Sequence, residues 1–370
     1  MASNPFFTNG AVSERRYFVG RGEELRAIFA RAFGDAPQSV NLTGEARSGK
    51  SSLLRHVQQT YEDVAPDAKA VVAVYVEFGR VNADSEASFY GAIAEALLAE
   101  IPRKRGLLQY FQRGELEAVL KMEPFERAEF DKAMRAWKKA GILPMLCLDR
   151  FEYLLDKPEV FPDGFYEVLR ALADDGVVML AIASRKTVAE YGKTTPQYTS
   201  GFFNLFHTLR VGGLAESAAW DLVRLPVGAP ALSVTSQALA RKWGGCDAFR
   251  LQAAGWCLFE MERDGLSEAV ARKNFEERTK RRPKGVRDWK NWFFVAWSAL
   301  RGTGRSAQAT GKNIKPISEA LMGAIVIALV LSIGLGWLGV GKFPKVFEDF
   351  LKLFRSESVP EQQQKRDHQR

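Results

Sequence analysis

The chain has 370 residues, 46% hydrophobic and 26% charged, which gives material for roughly two or three folded units with cores of their own. That composition excludes a wholly disordered chain, and three widely spaced cysteines (Cys147, Cys246, Cys257) exclude a disulfide framework and a zinc-ligand run, so a reducing compartment is expected. The net charge of +8 is local: residues 272–315 carry 13 Lys and Arg against three acids, +10 in all, which leaves the remainder near neutral.

Residues 1–16 read as a flexible lead-in, disordered or loosely docked, without the charged and apolar regions of a signal peptide. Apolar positions at Leu25, Ile28, Phe29 and Ala32 predict a helix over 23–33. A short strand over 39–42 then runs into Gly44-Glu45-Ala46-Arg47-Ser48-Gly49-Lys50-Ser51, followed by Ser52 and a helical run. This is G-x-x-x-x-G-K-S between a strand and a helix. Glycines at both ends let the backbone turn its N–H groups inward on a triphosphate. Lys50 supplies a point charge for the β- and γ-phosphates, and the Ser51 hydroxyl is a ligand that Mg²⁺ accepts. ATP and Mg²⁺ are the cofactors this loop predicts, with residues 44–52 as the cradle.

Beyond the loop, β-branched and aromatic residues over 71–78 predict a buried strand, and 85–100 a helix. Residues 103–139 read as charged helix lying outside the sheet. Further strands are expected over 143–148, 177–183 and 208–211. Short apolar strands alternating with helices predict an α/β fold, a parallel sheet with helices on both faces. Phosphate sites in such sheets lie at the carboxyl ends of strands. Asp149 stands at one such end, placed to face Mg²⁺ together with Ser51, although an aspartate there also suits a helix N-cap. Glu152, three residues on, is a candidate for the base that activates water, or a residue on the solvent side of the next helix. Ser184, at the end of the next strand, is placed to touch the attacking water or the γ-phosphate. Arg185 is placed either to stabilise transferred charge or to pair with a nearby acid. Lys50, Asp149, Glu152, Ser184 and Arg185 thus form the candidate catalytic set.

Residues 214–279 read as an all-helical lid, with a break at Gly244-Gly245 and Ser267 placed to cap the last helix. The basic segment 280–318 comes next. Residues 320–340 contain no charge over 21 positions, long enough at about 1.5 Å per residue to cross a bilayer, which predicts a transmembrane helix over 319–341. Ala320, Ala324, Ala328, Ser332 and Gly336 form a stripe of small side chains along it, a pattern that favours homo-oligomers through helix packing. Residues 342–358 predict an amphipathic helix, lying in the membrane interface or docking a protein partner, and 359–370 a disordered tail. The basic segment suits anionic lipid; Trp289, Trp292 and Trp297 among its charges also suit nucleic acid.

Several stretches together resemble the bacterial and archaeal AAA+-like ATPases of the STAND type, which are related to the origin-recognition ATPases. They are Phe18-Val19-Gly20-Arg21-Gly22-Glu23-Glu24-Leu25, the P-loop, Leu148-Asp149-Arg150-Phe151-Glu152, Ala183-Ser184-Arg185, Phe202-Phe203-Asn204-Leu205-Phe206, Arg210-Val211-Gly212-Gly213-Leu214, and Gly244-Gly245-Cys246-Asp247-Ala248-Phe249-Arg250-Leu251-Gln252. The resemblance implies an ATPase core over 17–213, a lid that closes over nucleotide, and an adenine pocket bordered by Val19, Gly20 and Arg21. Arg150 stands where that family carries a glutamate, and the lid motif lacks its proline. Resemblance and uncharged run together predict a single-pass protein of the inner (cytoplasmic) membrane with its ATPase domain in the cytoplasm. Its expected role is a nucleotide-controlled switch for assembly, signalling or defence. The alternatives are a motor or assembly ATPase of a membrane machine and a DNA-binding membrane tether.

Overall fold

The computed structural model describes residues 4–6, 10–34, 36–64, 70–81, 83–104 and 110–280. The elements in chain order are α1 (Gly22–Ala32), β1 (Val40–Thr43), α2 (Lys50–Val64), β2 (Ala70–Glu77), α3 (Glu86–Glu100), α4 (Tyr110–Leu120), α5 (Arg127–Lys139) and β3 (Ile142–Asp149). They continue with α6 (Glu152–Leu155), α7 (Asp163–Asp174), β4 (Met179–Ala183), α8 (Val188–Thr194), β5 (His207–Arg210), α9 (Glu216–Arg224), α10 (Val234–Gly244), α11 (Ala248–Asp264) and α12 (Glu268–Thr279).

The strands make one parallel sheet in the order β2-β3-β4-β1-β5. Alternation along each strand divides the core in two. Val72, Val74, Val76, Leu146, Leu148, Leu180 and Ile182 pack against α3, α5 and α7. Val71, Ala73, Met145, Cys147, Met179 and Ala181 pack on the other face, against α1 and α2. A side-chain period of two, buried on both faces, is what makes β2, β3 and β4 read as nearly continuous apolar runs. Residues over 103–139 were expected outside the sheet, but α5 covers it: Phe130, Ala133, Met134 and Trp137 are buried in the sheet core. The charges that suggested an exposed helix lie on the opposite face of α5, where Arg135 pairs with Asp131 and Asp175.

Helices α9 to α12 form a separate lid core around Leu222, Trp243, Leu251, Leu258 and Phe275. Ser267 stands at the N-cap of α12 as expected, but its side chain makes no capping hydrogen bond. Part of the lead-in docks on the lid. Phe6 is buried in the lid core, and the Asn4 amide donates to the Trp256 carbonyl at 3.1 Å. Gly255 admits Phe6: a Cβ there would lie 2.3 Å from the ring. Among the described residues no helix is long and apolar enough to cross a membrane. The predicted span, the basic segment beyond Lys280, the amphipathic helix and the tail lie outside the described residues.

Candidate functional site: a phosphate cradle and its carboxylates

The loop leaving β1 is shaped by three backbone positions at positive φ. Gly49 has φ 100°, which glycine adopts without strain. Gly44 is held by close approach, because a Cβ there would sit 2.5 Å from the Val211 carbonyl oxygen. Arg47, at φ 69°, is a rare non-glycine in this region, and its guanidinium lies 4.1 Å from the centre of the Phe249 ring at the start of α11. The loop is therefore tied to β5 on one side and to the lid on the other. Lys50 Nζ donates to the Gly44 and Glu45 carbonyls, both at 2.8 Å, and closes the loop on itself.

Two acids converge on that lysine. Burial lowers the Lys50 pKa, while the charges of Glu152 and Asp149 act in the opposite direction. Asp149 is buried at the end of β3; its Oδ1 accepts from the Arg150 backbone N–H at 2.9 Å and its Oδ2 from the Tyr75 hydroxyl at 2.8 Å. It ends a strand and does not cap α6, whose N-cap position is Phe151. The Phe151 N–H donates to the Ala183 carbonyl at 2.9 Å, which turns the chain so that Glu152 points inward. Glu152 is buried and not on a solvent face. Burial raises its pKa, the Asp149 charge adds to that, and Arg185 and Lys50 oppose it.

Arg185 resolves as an ion-pair partner. Its Nε lies 3.0 Å from Glu152 and its Nη2 2.8 Å from Asp156. Ser184 is buried just after β4, and its hydroxyl is engaged within the protein. Its Oγ donates to the Lys186 carbonyl at 2.6 Å and accepts from the Asn41 amide at 2.8 Å. Asn41 also accepts from the Val188 N–H at 3.0 Å, so this one fully buried amide fastens β1 to the turn after β4.

Arg21 is a buried tie between loops. Its guanidinium donates to the carbonyls of Ser48, Gly212 and Gly213 at 3.0, 2.7 and 3.2 Å, and pairs with Glu24 at 2.9 Å. It fastens the P-loop to the connection between β5 and the lid. Val19 packs against the lid core, and a Cβ on Gly20 would lie 2.6 Å from the Ala218 Cβ on α9. Val19, Gly20 and Arg21 therefore meet the P-loop at the junction of core and lid. A cavity of about 700 Å³ between α1 and α2, lined by Leu25, Phe29, Phe33 and His56, includes no P-loop residue and is separate from this site.

The residues fit a nucleotide with its ion. Ser48 Oγ is buried without a hydrogen-bond partner among the described residues, inside a loop whose Lys50 is held back by carbonyls alone. A phosphate oxygen satisfies both. Ser51, in the first turn of α2, and Asp149, at the end of β3, offer hard oxygen donors. That suits Mg²⁺, which takes one or two protein oxygens beside phosphate and water.

In the parallel sheet β4 lies between the P-loop strand and the carboxylate strand. Residues 17–183 match the family model described as AAA ATPase domain. The chain is similar in structure to the ORC2 protein of Aeropyrum pernix in its ADPNP–ADP complexes, at 15% identity over 94% of this chain and 90% of that one, with a TM-score of 0.50. A Walker-type ATPase of Pyrococcus abyssi matches at 16% identity over 95% and 88%, TM-score 0.49. Domain III of the replication initiation protein DnaA of Thermotoga maritima matches at 14% identity over 74% and 100%, TM-score 0.46. At 15% identity the likeness to the ORC2 protein is one of fold. Among curated proteins no relative matches the sequence.

Proposed function

We propose that this chain is a Mg²⁺-dependent ATPase anchored in the inner membrane, with its nucleotide state switching assembly or signalling. The observation that carries the ATPase reading is the loop after β1, which holds Lys50 on its own carbonyls and leaves the buried Ser48 hydroxyl without a partner among the described residues. Gly44 to Ser52 bind the phosphates, and Lys50 turns from the loop carbonyls to the β- and γ-oxygens. Ser51 and Asp149 would hold Mg²⁺, which when bound neutralises phosphate charge. Glu152 takes the proton of the attacking water. Arg185 holds that carboxylate from outside the cleft. The lid answers to the phosphates through Arg47 and Phe249, and through the Arg21 bonds to Ser48, Gly212 and Gly213.

The STAND subtype is supported by the residue motifs, and membrane anchoring by the uncharged run 320–340 with basic residues before it. Homo-oligomers through the small-residue stripe, and an unidentified protein partner, complete this reading. Phosphate release from ATP by the full chain tests it, wild type beside Lys50→Ala and Glu152→Gln. Loss in both variants, with nucleotide still bound by Glu152→Gln, is the expected result. Tight binding with no turnover in wild type would remove the ATPase and leave a binding switch, while fast turnover independent of membrane would favour a motor.

A further inference from the structure

Tyr75 belongs to none of the motifs, yet it touches the carboxylate at the centre of the site. It stands on β2 in register with Cys147 of β3, and Glu77 is in register with Asp149. Val71, Ala73, Met145 and Cys147, the residues in phase with Tyr75 and Asp149, pack in the core under α2. Tyr75 and Asp149 therefore project on the face that carries the P-loop helix. The Tyr75 hydroxyl donates to Asp149 Oδ2 at 2.8 Å, and the Arg150 N–H donates to Oδ1 at 2.9 Å. Each oxygen has its own donor, so the plane of the carboxylate is fixed, and lone pairs remain on both. The ring is held in turn. Arg55, one turn along α2 from Ser51, places its guanidinium 4.6 Å from the ring centre. One helix thus presents Ser51 and braces the side chain that orients Asp149.

We propose that Tyr75 is a positioning residue for the ion: its hydroxyl fixes the plane of the Asp149 carboxylate so that its free lone pairs stand ready for Mg²⁺. The proposal rests on the reading of Ser51 and Asp149 as the pair that faces the ion. Packing alone explains the ring but not its oxygen, because phenylalanine would fill the same space beneath Arg55. Outer hydrogen bonds of this kind are worth about 10- to 100-fold in metal affinity.

The test is equilibrium binding of a fluorescent ATP analogue to the full chain, with Mg²⁺ and with a chelator. Tyr75→Phe is expected to cut the Mg²⁺-dependent gain in affinity about tenfold, with affinity in chelator and thermal unfolding unchanged. An unchanged gain in Tyr75→Phe beside a lost gain in Asp149→Asn overturns the role of Tyr75 and leaves the site reading intact. An unchanged gain in both variants overturns the site reading as well. An equal fall with and without Mg²⁺ makes the hydroxyl a support of the fold and also overturns the proposal.

Discussion

At the scale of single residues, the site places a buried carboxylate beside one cation from the loop and one from outside. Glu152→Gln removes the proton acceptor and keeps the shape, so turnover should drop by about 10²- to 10⁴-fold while ATP binding survives. Phosphate-release kinetics beside nucleotide titration checks both halves. The acidic limb of the pH profile has its origin in the same geometry. Burial raises the Glu152 pKa above its ordinary value of 4.5, and the base works only when ionised. Turnover should therefore fall as pH drops through that raised value, and Arg185→Ala should move the limb to higher pH, because the opposing cation is gone. An unmoved limb would assign it to another group. The loop was legible because each of its roles is local in sequence. Asp149 was legible from an apolar strand that ends in an acid. The fastening by Asn41 and Arg21 was not, since their partners come from other strands and from the lid, and no spacing along the chain records them.

Among the elements, the two best tests lie on α2 and α11. His56, on α2, stacks on Phe18 with ring centres 3.9 Å apart, and burial, with Arg15 nearby, pulls its pKa from 6.5 to about 4. Between those values the unfolded chain binds a proton that the folded chain does not, so stability should decline as pH falls from 6.5 towards 4. His56→Phe keeps the stacked ring and should flatten that part of the curve, read from thermal midpoints across pH. On α11, Gly255→Ala drives a methyl into the Phe6 ring and should destabilise the lid by about 1–3 kcal/mol. Hydrogen exchange of α11 would show it, and Phe6→Ala in the same chain should relieve the clash. The central strands β2, β3 and β4 were readable because they are short apolar runs buried on both faces. The placement of α5 misled because its charges outnumber the four residues it buries, and burial depends on which face meets the sheet. The docking of Phe6 left no local trace at all.

At the scale of the molecule, the uncharged run 320–340 predicts that the full chain sediments with membranes and resists alkaline extraction, and that its deletion releases the protein. Recovery of the intact chain in the soluble fraction would refute the anchor. The basic segment 272–315 distinguishes lipid from nucleic acid: attachment to anionic vesicles is expected, whereas DNA affinity falling steeply with salt would favour the tether.

The seat of Phe6 also bears on how the chain is made. Asn4 and Trp256 are in contact across 252 positions, so a residue synthesised early waits for its socket until α11 has left the ribosome. Contacts of such long sequence separation close late and slow the final step of folding. A nascent chain halted before α11 would hold a finished nucleotide sheet and an unburied phenylalanine. That aromatic ring is a ready handle for chaperones until the lid arrives to take it.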